Sequence, residues 1–365
     1  MSAWSELSRS EITPERVAAL ADEFGRLVGP EAVALPVFAE ATVALQSLAR
    51  ELAGAGRRVL NVVSSRYGHG FEAWLRGYGG VCESLEAPAG CALSPAALDG
   101  ALSHHPEFDT VFLAHGEAIT GVLHPLPELV AVAHRHGALI AVDAVATVGA
   151  VAIPAEVDAA VLGPQKALGG PSGLSAAVIS PTGWPLLAPG PDPVPSALSL
   201  CWLRDEWLGR GRTETPSIPP VLDVLAAEDA FLELEREGLP ARLERHRTAA
   251  QAVRAGLRAG GVRPRVPAAE ANPLATAVDL SAGLDAAAVS AAARQAGGHW
   301  LADVDGAVGP AVRSTHFAAE ATPDGTVRVL VALAAGLAAA GGAFDLGAAL
   351  DASDAAWGRA AATAA

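Results

Sequence analysis

Between residues 59 and 180 the chain repeatedly sets a short, wholly apolar run against a longer stretch with helical spacing, and this alternation constrains the fold more than any other feature. The apolar runs are VLNVV (59–63), a weaker one near CESLEA (82–87), TVFLAH (110–115), ALIAVD (138–143), VDAAVLG (157–163) and SAAVIS (175–180). Between them lie FEAWLRGYG (71–79), SPAALDGALSHH (94–105) and PLPELVAVAHRHG (125–137), which carry apolar residues at helical intervals. Strands that are apolar on both faces belong in a mostly parallel sheet covered by helices on each side. Such sheets bind ligands beyond the carboxyl ends of their strands.

The flanking segments fit the same α/β scheme. Val17, Leu20, Phe24 and Leu27 recur at helical spacing after Pro14, and ATVALQSLARELAGAG (41–56) is a second helix that stops at Gly54 and Gly56. Past 180 the chain becomes Pro-rich, with a further loop, GRGRTETPSIPP, at 209–220. A long helical pattern then runs from Val221 to Glu237, pauses at Gly238 and resumes. A chain of 365 residues exceeds the size at which single cores stop growing. We therefore expect a large domain over residues 1–222 and a smaller C-terminal α+β domain over 223–365, with strands at TAVDL (276–280) and VRVLVAL (327–333).

A net charge of -15 disfavours nucleic acid, whose phosphates require a basic footprint. Cys82, Cys91 and Cys201 lack metal-ligand spacing, so no metal site is expected, and their odd number suits a reducing compartment. Glu6, Arg9, Glu11, Glu15 and Arg16 interrupt any apolar leader, and no apolar run reaches the length of a membrane span. A cytoplasmic location is the expectation.

The chemistry concentrates in residues 141–175. Asp143 ends one apolar run, so its carboxylate emerges at a strand tip, and Lys166 stands in the Gly/Pro-rich loop GPQKALGGPSG between two strands, in a chain with very few lysines. An aldehyde cofactor of the pyridoxal type needs a lysine amine for a Schiff base and an anionic partner that keeps its ring nitrogen protonated. Lys166 and Asp143 supply both. Without Lys166, the aspartate reads as an N-cap for the following turn.

VDAVATVG (142–149) followed by GPQKALGGPSGLS (163–175), together with AHGEAITGVLHP (114–125) and RHGALIAVD, resembles the class V aminotransferases of pyridoxal phosphate (PLP) fold type I. The resemblance implies the same roles for Asp143 and Lys166, with Lys166 also moving the substrate's α-proton as base and acid. It implies that Tyr67 stacks on the cofactor ring and that Ala41, Thr42 and Val145 border the cofactor; Gln165, just before the lysine, is equally a contact to the cofactor side arm or a loop-stabilising amide. Arg313, in AVRSTHFA, resembles the family arginine that grips the substrate carboxylate, although the residues after it depart from the family motif. Family members are homodimers whose sites are completed by a neighbour's loop, here the one carrying Thr215 and Ser217.

Several positions depart from the family pattern. A small Ser-Gly-Thr-like turn usually cradles the cofactor phosphate at the start of the second helix, whereas this chain reads FAEATVALQ and puts Glu40 there. A carboxylate ~4 Å from a phosphate costs about 4 kcal/mol per unit charge at an effective dielectric of 20. Glu40 resembles the residue at this place in pyridoxamine-pyruvate transaminases, whose vitamer lacks the phosphate; it could equally turn to solvent or cap the helix while PLP binds normally. Ala118 replaces a hydroxyl that contacts the ring's phenolic oxygen, leaving Thr120 to supply it, and the family's N-terminal Pro-Gly-Pro segment has no counterpart before Glu15.

The expected function is thus amino-group exchange between pyridoxamine or pyridoxal and a small keto acid such as pyruvate. The alternatives are a conventional PLP-dependent alanine/serine-glyoxylate type aminotransferase, a PLP-dependent lyase, or a degenerate vitamer-binding protein.

Overall fold

The computed structural model describes residues 12–188 and 196–364. Glu6, Arg9 and Glu11, on which the expectation about a leader partly rests, lie outside the described residues, as do the chain upstream of Ile12 and the centre of the Pro-rich connection.

The chain opens with α1 (Pro14–Arg26), capped by Thr13 and carrying Pro14 in its first turn. There follow β1 (Val33–Val37), α2 (Ala41–Gly54), β2 (Arg58–Val63), α3 (Arg66–Gly77), β3 (Val81–Glu86), α4 (Pro95–His104), β4 (Thr110–Ala114), α5 (Leu126–Arg135), β5 (Leu139–Asp143), β6 (Ala159–Leu162) and β7 (Ser175–Ile179). The strands form one 7-stranded sheet in the order β1-β7-β6-β5-β4-β2-β3. Every neighbouring pair is parallel except those made by β7, which runs against both β1 and β6. This is the doubly covered, mostly parallel α/β sheet that the continuous apolar runs predict.

Two local details depart from the periodicity. The strand β1 is hidden in the sequence by Pro36, which is tolerated because β1 is an edge strand and needs no second partner for that residue. The third helix begins at Arg66, not near 71, because the Ser65 hydroxyl accepts the Tyr67 N–H at 3.1 Å and caps it. That earlier start sets Tyr67 on the first helical turn.

Beyond a short helical stretch at 200–208, α6 (Val221–Glu237) packs Val224, Ala227, Phe231 and Leu234 into the large core, with Phe231 edge-on to Phe24 at 5.0 Å. A second core begins at Val253 on α7 (Leu239–Ala259) and gathers β8 (Ala275–Asp279), α8 (Ala286–Gln295), β9 (Ala311–Thr315), α9 (Pro323–Ala339) and α10 (Leu346–Ala364). The expected strand VRVLVAL (327–333) is wrong: these residues lie inside α9. Thr322 caps that helix by accepting Gly325 N–H, Pro323 fills its first turn, and Val329, Leu330, Ala332, Leu333, Gly336 and Leu337 bury one helical face. The strand partnering β8 is β9, which brings Arg313 opposite Ala277.

At the amino end of β6 the buried Asp158 ties three neighbours together. Its Oδ2 accepts Ile140 N–H at 2.8 Å and lies 2.9 Å from His134 Nε2, and its Oδ1 accepts the Thr182 hydroxyl at 2.6 Å. These contacts fix β6 against β5, and thereby the loop that leaves the other end of β6 with Lys166. Asp158→Ala strands the Ile140 donor away from water and is expected to cost about 3 kcal/mol or more in urea denaturation.

Candidate active site

The register of the sheet assembles the site. Ala114 at the end of β4 pairs with Asp143 at the end of β5, and Asp143 pairs with Val161 of β6, three residues before the loop with Lys166 begins to turn. The carboxyl ends of these parallel strands therefore deliver Glu117, Asp143 and Lys166 to one edge. There they line a cavity of about 280 Å³ whose wall also includes Glu40, Tyr67 and Gln165.

Lys166 is the chain's only lysine. Burial lowers its pKa, against the opposing pull of Asp143, Glu117 and Glu40, and so favours the neutral, nucleophilic amine. Asp143 sits deep at the strand tip, where burial raises its pKa while Lys166 and the Val145 N–H, bonded to Oδ1 at 2.9 Å, pull it down. Among the described residues, no hydrogen bond or ion pair joins Asp143 to Lys166. An amine and a carboxylate that share a cavity without touching leave room for a flat ring between them. A pyridoxal ring has the matching ends: a carbonyl carbon for the amine and a ring nitrogen for the carboxylate. The residues present fit that group.

Glu40 is the N-cap of α2, and both its oxygens are engaged. Oε2 accepts the Thr42 N–H at 2.7 Å, and Oε1 accepts Gln165 Nε2 at 3.2 Å. A helix N-terminus is an anion site because its first N–H groups lack partners. Here the chain's own carboxylate occupies that position. Capping the helix and placing negative charge at the cavity wall are one contact. Ala41 and Thr42 complete this side of the wall.

The sequence reading overlooked Glu117. It is buried, and its Oε1 accepts the hydroxyls of Ser65 at 2.7 Å and Ser64 at 3.0 Å. Ser64 in turn lies 3.0 Å from Nε2 of His124, whose Nδ1 accepts the Leu93 N–H at 3.0 Å. That last bond fixes the tautomer: burial holds the His124 pKa near about 4, the ring is neutral, and its single proton sits on Nε2. His124 therefore donates to Ser64, and Ser64 donates to Glu117. Burial, chiefly, and the charge of Asp143 push the Glu117 pKa up to about 7. The signal available in sequence was a carboxylate three residues past a buried strand, the same kind of position as Asp143.

The remaining expected residues fall into two groups. Tyr67 lines the cavity and is 56% exposed, and Val145 lines it beside Asp143. Ser172, not anticipated, also lines it. Thr120 does not reach the cavity: it is buried in the turn after Glu117, and its hydroxyl accepts the Val122 N–H at 3.3 Å. Arg313 approaches from the second core, with Nη1 donating to the Ala118 carbonyl at 3.2 Å, but its Nε and Nη2 face Asp303. Thr215 and Ser217 lie on the loop after the 200–208 helix and do not line this chain's cavity.

Residues 85–189 match the aminotransferase class-V family. A pyridoxamine–pyruvate transaminase of Mesorhizobium japonicum is 31% identical over 324 residues, 86% of this chain and 81% of the relative. An (S)-ureidoglycine–glyoxylate transaminase of Bacillus subtilis is 29% identical over 254 residues, 63% of this chain and 60% of that protein. The crystal structure of pyridoxamine-pyruvate aminotransferase from Mesorhizobium loti superimposes with a TM-score of 0.89 at 27% identity, covering 98% of this chain and 93% of that one. Similarity extending through nearly the whole fold, with a lysine and an aspartate delivered to one sheet edge, places the chain in the class V aminotransferase family of PLP fold type I.

Proposed function

We propose that this aminotransferase exchanges an amino group between an unphosphorylated pyridoxamine-type compound and a small keto acid such as pyruvate, with the vitamer entering as a substrate. The observation that carries this reading is the engagement of Glu40 with Thr42 N–H and Gln165 at the helix N-terminus. Two donors suited to a phosphate, the Thr42 N–H and the Gln165 amide, are in use, and a carboxylate already stands there. The wall as a whole is acidic, with Glu40, Glu117 and Asp143 against Lys166. The similarity to a pyridoxamine–pyruvate transaminase along 86% of the chain supports the same choice.

Family members work through a pyridoxal group, which when bound supplies an electron sink for the substrate's α-carbon. The chain's residues do the rest. With that group bound, Asp143 would hold a proton on its ring nitrogen, Tyr67 would border the ring, and Lys166 Nζ would serve as base and acid toward the substrate's α-carbon. Arg313 receives the carboxylate of the keto acid. We place the enzyme in the cytoplasm as a homodimer; Ile218, 93% exposed on the loop with Thr215 and Ser217, is suited to burial against a neighbour. No helix among the described residues is long and apolar enough to cross a membrane.

Titration of vitamer-free protein, followed by visible absorbance, tests the assignment. Wild type is expected to bind pyridoxal at least about tenfold more tightly than PLP, a modest share of the charge repulsion at Glu40. Glu40→Ser is expected to reverse that order. Equal affinities for the two in both proteins would overturn the reading. Borohydride reduction of the pyridoxal complex should fix the label at Lys166 in peptide maps, and Lys166→Ala should abolish that label.

Glu117 gives a pH prediction. Its pKa is raised on folding from 4.5 to about 7, so the folded protein holds a proton that the unfolded chain has released. Stability from this group is full below about pH 4.5 and is lost as pH rises through 7. Glu117→Gln removes the loss. The variant should match wild type at about pH 4 and exceed it at about pH 8 by about 3 kcal/mol in denaturant melts of vitamer-free protein, at about 1.36 kcal/mol per pKa unit.

A further inference from the structure

Arg313, on β9, does not line the cavity but reaches the backbone of Ala118, which does, and its carboxylate-binding edge is already filled. Nε donates to Asp303 Oδ1 at 3.1 Å and Nη2 to Asp303 Oδ2 at 3.0 Å, the parallel two-bond arrangement with which an arginine grips a carboxylate. Nε also reaches the Asp303 carbonyl at 3.2 Å, and Nη1 is held by Ala118. The arginine side chain is only 11% exposed, whereas that of Asp303 is 44% exposed. Of the two partners, the aspartate is the one with water to move into.

The backbone that carries Asp303 is held by more than the side-chain pair. Leu301 and Arg313 exchange backbone hydrogen bonds at 2.8 Å in both directions. On the other side, Asp305 accepts the backbone N–H of Arg66 at 2.7 Å and its Nε at 2.8 Å, and pairs with Nη2 as well. The segment is thus pinned before and after Asp303. Its side chain can swing off the guanidinium while the segment stays in place.

We propose that Asp303 is a resident competitor for the substrate carboxylate: it occupies the bidentate edge of Arg313 until the keto acid displaces it, and thereby sets the enzyme's affinity for the acid. The proposal rests on the reading of Arg313 as the receptor for that carboxylate. One guanidinium edge cannot hold two carboxylates side by side, so binding requires exchange. The apparent affinity for any acid is the intrinsic affinity reduced by the fraction of molecules whose edge is free.

Calorimetric binding of oxamate, an unreactive isostere of pyruvate, tests this in wild type, Asp303→Asn, Asp303→Ser and Arg313→Gln, alongside the KM for pyruvate in the pyridoxamine reaction. An edge occupied about nine-tenths of the time predicts that both Asp303 variants bind oxamate about tenfold more tightly, with a KM lower by the same factor. Arg313→Gln should lose oxamate binding. If Arg313→Gln loses it while both Asp303 variants bind no better than wild type, Asp303 supports the arginine and the competitor role is overturned. If Arg313→Gln binds oxamate as wild type does, the underlying assignment of Arg313 fails instead.

Discussion

Gathering one amine and three carboxylates at the end of a two-sided apolar sheet sets up an electrostatic imbalance that the rest of the site has to accommodate. Lys166 faces Asp143, Glu117 and Glu40 across a cavity of about 280 Å³. Each charge is handled differently. Asp143 is steadied by one backbone N–H and by Lys166 through space, Glu40 by a helix N-terminus and an amide, and Glu117 by holding a proton until about pH 7. A carboxyl that keeps its proton, as Glu117 does, adds less repulsion to a small shared volume than a third full charge would. An additional dianion has no such accommodation on the Glu40 side.

The sheet that holds this arrangement was legible because its strands are short and apolar throughout, with no competing helical period. What misled was composition at the ends of elements. VRVLVAL has the β-branched character of a strand, yet a Thr-Pro start four residues earlier commits it to a helix, and local capping outweighs side-chain preference. The edge strand β1 was concealed by Pro36, which sequence rules read as a breaker and which an edge position tolerates. Both cases turn on where a residue sits in the sheet or helix, and spacing alone does not carry that information.

The site was legible to the same extent. Lys166 and Asp143 stand at the ends of recognisable strands, so their placement follows from topology. Glu117 is held in place by Ser64, Ser65 and His124, which arrive from other segments of the chain, and Arg313 by Asp303 across a hairpin-like return. Such partners are set by tertiary packing. Thr120 shows the reverse: a hydroxyl near the right place in sequence is turned into a local backbone bond and never reaches the cavity.

Glu40 joins stability to selectivity in a single contact, and this dictates how the two can be separated. Replacing it with alanine would free the Thr42 N–H for a phosphate but would also remove the N-cap of α2, at a cost of about 1 kcal/mol. Any gain in phosphate affinity would then be mixed with loosening of the helix that presents the donors. Serine caps a helix as well as glutamate's carboxylate does through the same N–H, and it is neutral. It therefore removes the charge and leaves the backbone where it was. A switch in vitamer preference with serine, and not with a helix-loosening change, would trace selectivity to charge at the helix N-terminus, independent of the shape of the pocket.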